Sequence, residues 1–363
     1  MNQPHPSLAP NVWSGAAPGV EAGVGAGVKP GLAPGAPLLE LREVSKRFVE
    51  PLDLAGKIAR TFGSKIAPQV VHAVDRVSLS IARGEVVGLV GESGCGKSTL
   101  ARMAVGLHPL TEGSRWWRGE RLDTLSVAQQ RLRQLPIQMI FQDPYASLNP
   151  RLRVLDIVGE APVVHGMADA AGKQEYVARM LDRVGLDPAL MQRFPHQFSG
   201  GQRARVGIAR ALAVRPELLV CDEAVAALDV SIQAQVLNLF MQLRAELDLT
   251  YLFISHDLGA VRHVSDRVVI MYLGRVVESA PTEELFGHAR HPYTQALLAS
   301  APKLEVKKTV FVAVQGEIPS PLNPPSGCHF HPRCPHAMAR CATEAPALLE
   351  HAPGHFSACH LDA

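Results

Sequence analysis

A chain of 363 residues, 47% hydrophobic and 19% charged, is long enough for one large domain with an appendage or for two modest ones, and wholesale disorder is excluded. Thirty-six Lys and Arg against 34 Asp and Glu leave a net charge of +2, which removes bulk charge as an argument for nucleic-acid binding. No stretch reaches the roughly 18 uninterrupted apolar residues needed to cross a bilayer, and the start lacks the basic and apolar regions of a secretory signal.

Residues 1–37 hold seven Gly, seven Ala and seven Pro, with Glu21 and Lys29 the only charges, and are expected to form a disordered tail. Folding is expected to begin near Leu38. The run Leu38 to Val44 reads as a strand, followed by an aromatic at Phe48. Pro51 to Gln69 reads as a surface loop, and Val70 to Ile81, alternating apolar and polar side chains, as a second strand. From Glu85 onward short apolar strands alternate with amphipathic helices, the pattern of an α/β domain with a largely parallel sheet. There is no internal repeat and no long heptad run. Near Pro302 the character changes, and residues 315–363, rich in Pro, His and Cys, are expected to form a small separate C-terminal element.

The sequence Gly91-Glu92-Ser93-Gly94-Cys95-Gly96-Lys97-Ser98 fits G-x-x-x-x-G-K-S/T at every required position. It follows the apolar strand Val86 to Val90 and precedes a helical stretch from Thr99 to Leu107, the context this motif requires. Glycines let the backbone form a nest whose N–H groups face phosphates, and the helix start adds positive potential. Lys97 supplies a charge to phosphate oxygens, and the Ser98 hydroxyl can complete a Mg²⁺ shell. Further on, Leu218-Leu219-Val220-Cys221-Asp222-Glu223 is an apolar strand ending in two carboxylates. With the phosphate loop it suggests Asp222 for Mg²⁺ and Glu223 for polarising the attacking water.

Between these pieces lies Phe198-Ser199-Gly200-Gly201-Gln202, at the head of a helical run. This resembles the signature motif of ATP-binding-cassette (ABC) ATPases, whose usual first residue is Leu. The resemblance covers roughly residues 38–300. It implies an ABC ATPase domain: a RecA-like parallel-sheet core with an antiparallel β subdomain and a helical subdomain at about 143–203. It also implies that Ser199, Gly200, Gly201 and Gln202 serve a nucleotide bound mainly by a partner subunit. Phe48 matches the aromatic that stacks on adenine, although a core strand residue is the alternative. Gln142 matches the glutamine that ligates Mg²⁺ and senses the transport subunit. Asp229, in Ala227-Leu228-Asp229, matches the loop that touches the partner, and His256 the switch histidine at the γ-phosphate. Gly91 to Thr99 would bind the nucleotide phosphates. Two departures from the family pattern are Ala224, where Pro is usual, and Ala226, where Ser is common. Neither removes a phosphate or metal ligand, so hydrolysis is expected to survive.

Phe141 to Arg151, His291-Pro292-Tyr293-Thr294-Gln295-Ala296-Leu297-Leu298 and Pro319 to Cys341 look like segments of ATPase subunits of oligopeptide, dipeptide and nickel importers. The likeness is to the second, or F-type, ATPase of a non-identical pair. It implies two different ATPases, two membrane permeases and an extracytoplasmic binding protein, with this chain peripheral on the cytoplasmic face of the membrane. Residues 301–363 would be the Cys-rich extension of that group. Cys328, Cys334, Cys341 and Cys359 fall within 32 residues, among five histidines. Disulfides are not expected there. A 4Fe–4S cluster, a structural Zn²⁺ and unliganded packed thiols remain open. Cys95 and Cys221 read as small buried residues. The expectation is an ATPase driving peptide uptake; a soluble non-transport ABC ATPase, or an importer subunit for nickel or another small solute, is the alternative.

Overall fold

The computed structural model describes residues 37–50, 68–143, 146–300 and 316–362. The expected tail (1–36), most of the expected loop (51–67) and the Pro144-Tyr145 pair lie outside the described residues. The strand expected from Leu38 starts at Pro37.

Two sheets carry the fold. β1 (Pro37–Glu50) pairs antiparallel with β2 (Gln69–Ala82) and with β4 (Glu112–Trp117), and the short β5 (Glu120–Arg121) completes a four-stranded sheet in the order β2-β1-β4-β5. Its buried face comes from Leu39, Leu41, Val44, Val77, Leu79 and Ile81. Register shifts near Glu43, which sits at φ 48°, break the strict alternation along β1.

The second sheet is built on β3 (Val86–Val90), β6 (Ile137–Ile140), β7 (Leu218–Asp222), β8 (Thr250–Ile254) and β9 (Arg267–Tyr272), all parallel, in the order β9-β3-β8-β7-β6. β3, β7 and β8 are buried at every position, as continuous apolar strands covered on both faces must be. The helices after these strands include α1 (Lys97–Ala104), which leaves the phosphate loop, and α2 (Val127–Gln134). A group of α3 (Val154–Val164), α4 (Lys173–Arg183) and α5 (Gly200–Leu212) packs together beyond β6. Then come α6 (Val230–Leu247) and α7 (Leu258–Val264). This is the layout that the resemblance implied, a parallel-sheet core with an antiparallel sheet and a group of packed helices.

Beyond β9 the sheet continues antiparallel through β10 (Arg275–Pro281), flanked by α8 (Thr282–His288) and α9 (Pro292–Ser300). Here the structure departs from the expected separate C-terminal element. After α10 (Ala339–Thr343), β11 (Leu349–Ala352) and β12 (His355–Ser357) extend the main sheet, β12 pairing with β10 through Glu278 opposite Ser357 and Ser279 opposite Phe356. The join is both polar and apolar. Glu278, wholly buried, accepts from His355 Nε2 at 2.8 Å and from the N–H groups of Arg290 and His291. Phe330, 1% exposed, packs against Tyr272 and Tyr293 with ring centroids 5.2 and 5.4 Å away. Buried apolar area of this kind is worth about 25 cal/mol per Å². Composition could not announce that contact.

Candidate functional site

The phosphate loop is fixed by close backbone packing. Gly96 has φ 106°, and a Cβ there would lie 2.1 Å from the Ala73 carbonyl oxygen; one on Gly91 would lie 2.2 Å from that of Met271. Both positions therefore demand glycine. Lys97 begins α1, and its ammonium donates to the carbonyls of Gly91 (2.7 Å) and Glu92 (3.0 Å), which places a cation under the loop. Gly96 caps the helix in the left-handed conformation, so the first N–H groups of α1 stay available to an anion.

Parallel pairing brings the acidic pair to the same point. β7 and β8 run side by side, with Asp222 opposite Ile254, so Glu223 and His256 emerge at one sheet edge beside the loop that follows β3. Ser98 Oγ donates to Asp222 Oδ1 at 2.8 Å. Asp222 is 2% exposed, and burial pushes its carboxyl upward, while the Ser98 hydrogen bond and the charge of Arg102 hold it down. Gln142, just past β6, donates from Nε2 to Glu223 Oε2 at 2.7 Å, and His256 Nδ1 stands 3.6 Å from the same oxygen. Glu223 occupies the left-handed region at φ 49°, rare for a residue with a side chain, and its N–H donates to the Ile254 carbonyl at 3.0 Å. Ala224 does not prevent the turn after it: the Ala226 N–H closes onto the Glu223 carbonyl at 3.0 Å.

An open cavity of about 360 Å³ gathers Ser93, Gly94, Gly96, Lys97, Ser98 and Thr99 with Gln142 and Glu223. Its other wall is apolar: Phe48, Val71, Ala73 and Pro321. The Phe48 ring is held edge-on to His108 at 5.5 Å, with the Lys46 ammonium 5.0 Å over it. Pro321 was not suspected from the sequence. Its carbonyl accepts the N–H of His72 at 3.0 Å, so the C-terminal segment walls the nucleotide-sized cleft. Gly91, Glu92 and Cys95 belong to the loop behind this surface, and Asp222 reaches it through Ser98.

The remaining expected residues are not gathered here. Ser199 caps α5 with a reciprocal box: its Oγ accepts the Gln202 N–H (3.3 Å), and Gln202 Oε1 accepts the Ser199 N–H (3.0 Å). Gly200 and Gly201 face Leu228 and Ile232, and Asp229 precedes α6 without capping it through its side chain. None of Ser199, Gly200, Gly201, Gln202 or Asp229 borders the cavity.

Cys328, Cys334, Cys341 and Cys359 line one small cavity of about 10 Å³ with His291, His331, His336 and His360. Burial pushes the thiols of Cys328 and Cys334 upward and that of Cys359 to about 11. Among the described residues no three His, Cys, Asp or Glu side chains are drawn together as ligands of one metal ion. The single-ion expectation, Zn²⁺, therefore finds no formed site, and the thiols share a cavity without closing on a point. Cys95 and Cys221 are buried, and burial raises both thiols, as expected for packing residues.

Comparison with known proteins adds to this geometry. Residues 74–226 match the family model described as ABC transporter, and residues 277–341 the one described as oligopeptide/dipeptide transporter, C-terminal region. The chain is 50% identical over 330 residues to the oligopeptide transport ATP-binding protein AppF of Bacillus subtilis, covering 89% of this chain and 97% of that protein. It is 46% identical to the dipeptide transport ATP-binding protein DppF of Haemophilus influenzae, covering 81% of this chain and 91% of that one. Among solved structures, the dimeric bacterial ABC transporter cassette MJ0796 superposes with a TM-score of 0.57 at 26% identity, covering 67% of this chain and 98% of its own.

Proposed function

The chain belongs to the ABC transporter ATP-binding subunits that serve oligopeptide and dipeptide transport, and from that membership we propose how its own residues perform the work. It is the ATP-hydrolysing subunit of a peptide ABC importer. Subunits of this kind dimerise and work with membrane permeases. The observation that carries the site reading is the convergence of Lys97, Ser98, Gln142 and Glu223 on one open cavity, with Asp222 bonded to Ser98 behind it.

In this reading the triphosphate lies across the loop from Gly91 to Thr99, and the base rests between Phe48 and the wall of Val71, Ala73 and Pro321. Binding phosphate would draw Lys97 from the two carbonyls it now caps. Ser98, Gln142 and Asp222 are the oxygen donors that would hold Mg²⁺, which neutralises charge on the β- and γ-phosphates when bound. Glu223 accepts the proton of the attacking water. Gln142 and His256 both approach one oxygen of its carboxylate, and His256 contacts the γ-phosphate. The second wall of the nucleotide comes from Ser199, Gly200, Gly201 and Gln202 of a partner ATPase, with Asp229 at the contact between subunits. That partner is a non-identical subunit, and an extracytoplasmic binding protein delivers the peptide to the permeases. No helix among the described residues is long and apolar enough to cross a membrane; work beside membrane permeases on intracellular ATP is what would place the chain peripherally at the cytoplasmic face.

The test is Glu223→Gln. ATP binding should persist while hydrolysis falls by about 10²- to 10⁴-fold, the usual worth of a positioned base. Phosphate release near the wild-type rate would remove Glu223 from that role.

For the cysteines, the reading kept from the importer resemblance is a 4Fe–4S cluster: four thiols line one cavity, matching its one thiolate per iron, and the cavity of about 10 Å³ must widen to admit it. The chain purified without oxygen should be brown, and Cys334→Ser should lose the colour. A colourless chain carrying one zinc by elemental analysis, or no metal at all, would reject the cluster.

A further inference from the structure

The phosphate loop carries a negative charge of its own at Glu92, one residue after Gly91, beside the place where a polyanion must settle. Like charges at that range repel. Two groups from the far end of the chain meet this residue. Tyr293 Oη accepts the Glu92 N–H at 2.9 Å. Arg333 forms a bidentate pair with the Glu92 carboxylate, Nη1 to Oε2 at 2.7 Å and Nη2 to Oε1 at 3.0 Å. The Arg333 side chain is only 4% exposed, against 22% for Glu92. Its guanidinium is seated 5.8 Å over the Tyr272 ring and donates to the Tyr272 hydroxyl at 3.3 Å, and the Glu92 pair raises its already high pKa further.

We propose that Arg333 is a positioning residue for the ATP reaction: it neutralises the Glu92 carboxylate and holds it away from the phosphate-binding face of the loop. The fork matters, since a planar guanidinium fixes both carboxylate oxygens where a single ammonium fixes one. Two segments distant in sequence meet at Glu92. The His291-Pro292-Tyr293 segment supplies the hydroxyl, and the segment between Cys328 and Cys334 supplies Phe330 as an apolar anchor and Arg333 as the charge. Without Arg333, the loop would present an uncompensated anion to ATP.

The inference rests on the ATP site proposed above, and titration of ATP into the unaltered full chain tests that site alone. With magnesium chelated to prevent turnover, Arg333→Ala should weaken ATP binding about tenfold, more at low than at high salt. In turnover it should raise KM while leaving kcat at saturating ATP within about twofold. Adding Glu92→Gln should restore binding to within about threefold of the unaltered chain, because the charge requiring neutralisation is then gone. A merely structural Arg333 would show no such rescue, since Glu92→Gln does not restore the packing and hydrogen bonds lost with the guanidinium. Should Arg333→Ala fail to fold, Arg333→Lys alone and with Glu92→Gln makes the same comparison, the first weakened and the second restored. Unchanged ATP affinity in the Arg333 variant, or a double variant as weak as the single one, would overturn the proposal; absent binding by the unaltered chain would instead overturn the ATP site.

Discussion

His291 is 1% exposed, and its Nδ1 accepts the N–H of Tyr293 at 3.1 Å, which only a neutral ring can do. Burial drives its pKa down to about 4, while the nearby Asp362 carboxylate pulls weakly the other way. The folded pKa thus lies below the unfolded value near 6.5, so this ring favours folding above about pH 6.5, and that contribution is lost as pH falls toward 4. The loss is on the order of 3 kcal/mol at the acid end. His291→Asn, which keeps an acceptor without titrating, should flatten the fall in urea-unfolding free energy between pH 7 and 4.5; identical pH profiles would contradict this. Also at the scale of single residues, the phosphate loop was legible in sequence because its chemistry fixes residue type and spacing locally. Pro321 and Arg333 were not, since each acts only through a partner more than 200 positions away.

Among the elements, the buried strands β3, β7 and β8 could be read directly, because a strand covered on both faces is a short unbroken apolar run. Their parallel pairing carries chemistry: it sets Asp222 and Glu223 beside the strand end that leads to His256. The C-terminal strands β11 and β12 were opaque. They are four and three residues long, and His355 on β12 is buried against Glu278 by a hydrogen bond rather than by an apolar pattern. Composition therefore suggested a separate element where the sheet in fact continues. The cysteines mark the converse limit. Spacing brought them to notice, and the fold sets them around one cavity.

On the scale of the whole molecule, the two sheets meet at the phosphate loop, so the cleft has one wall from the antiparallel sheet and one from the parallel core. The helix that begins after Ser199 lies outside this cleft, with its capping box complete and its two glycines facing α6 and the turn before it. Under the proposed reading one chain offers half of a nucleotide enclosure, and hydrolysis would belong to the assembled pair. ATP closing that pair is what would move the permeases. The decisive measurement is peptide uptake into sealed vesicles holding the permeases, the partner ATPase and this chain, with the peptide-binding protein supplied outside and phosphate release followed in the same sample. Magnesium-dependent phosphate release that rises with external peptide and accompanies its accumulation, both lost with Glu223→Gln, is the result predicted. Accumulation continuing at the unaltered rate with Glu223→Gln would contradict it.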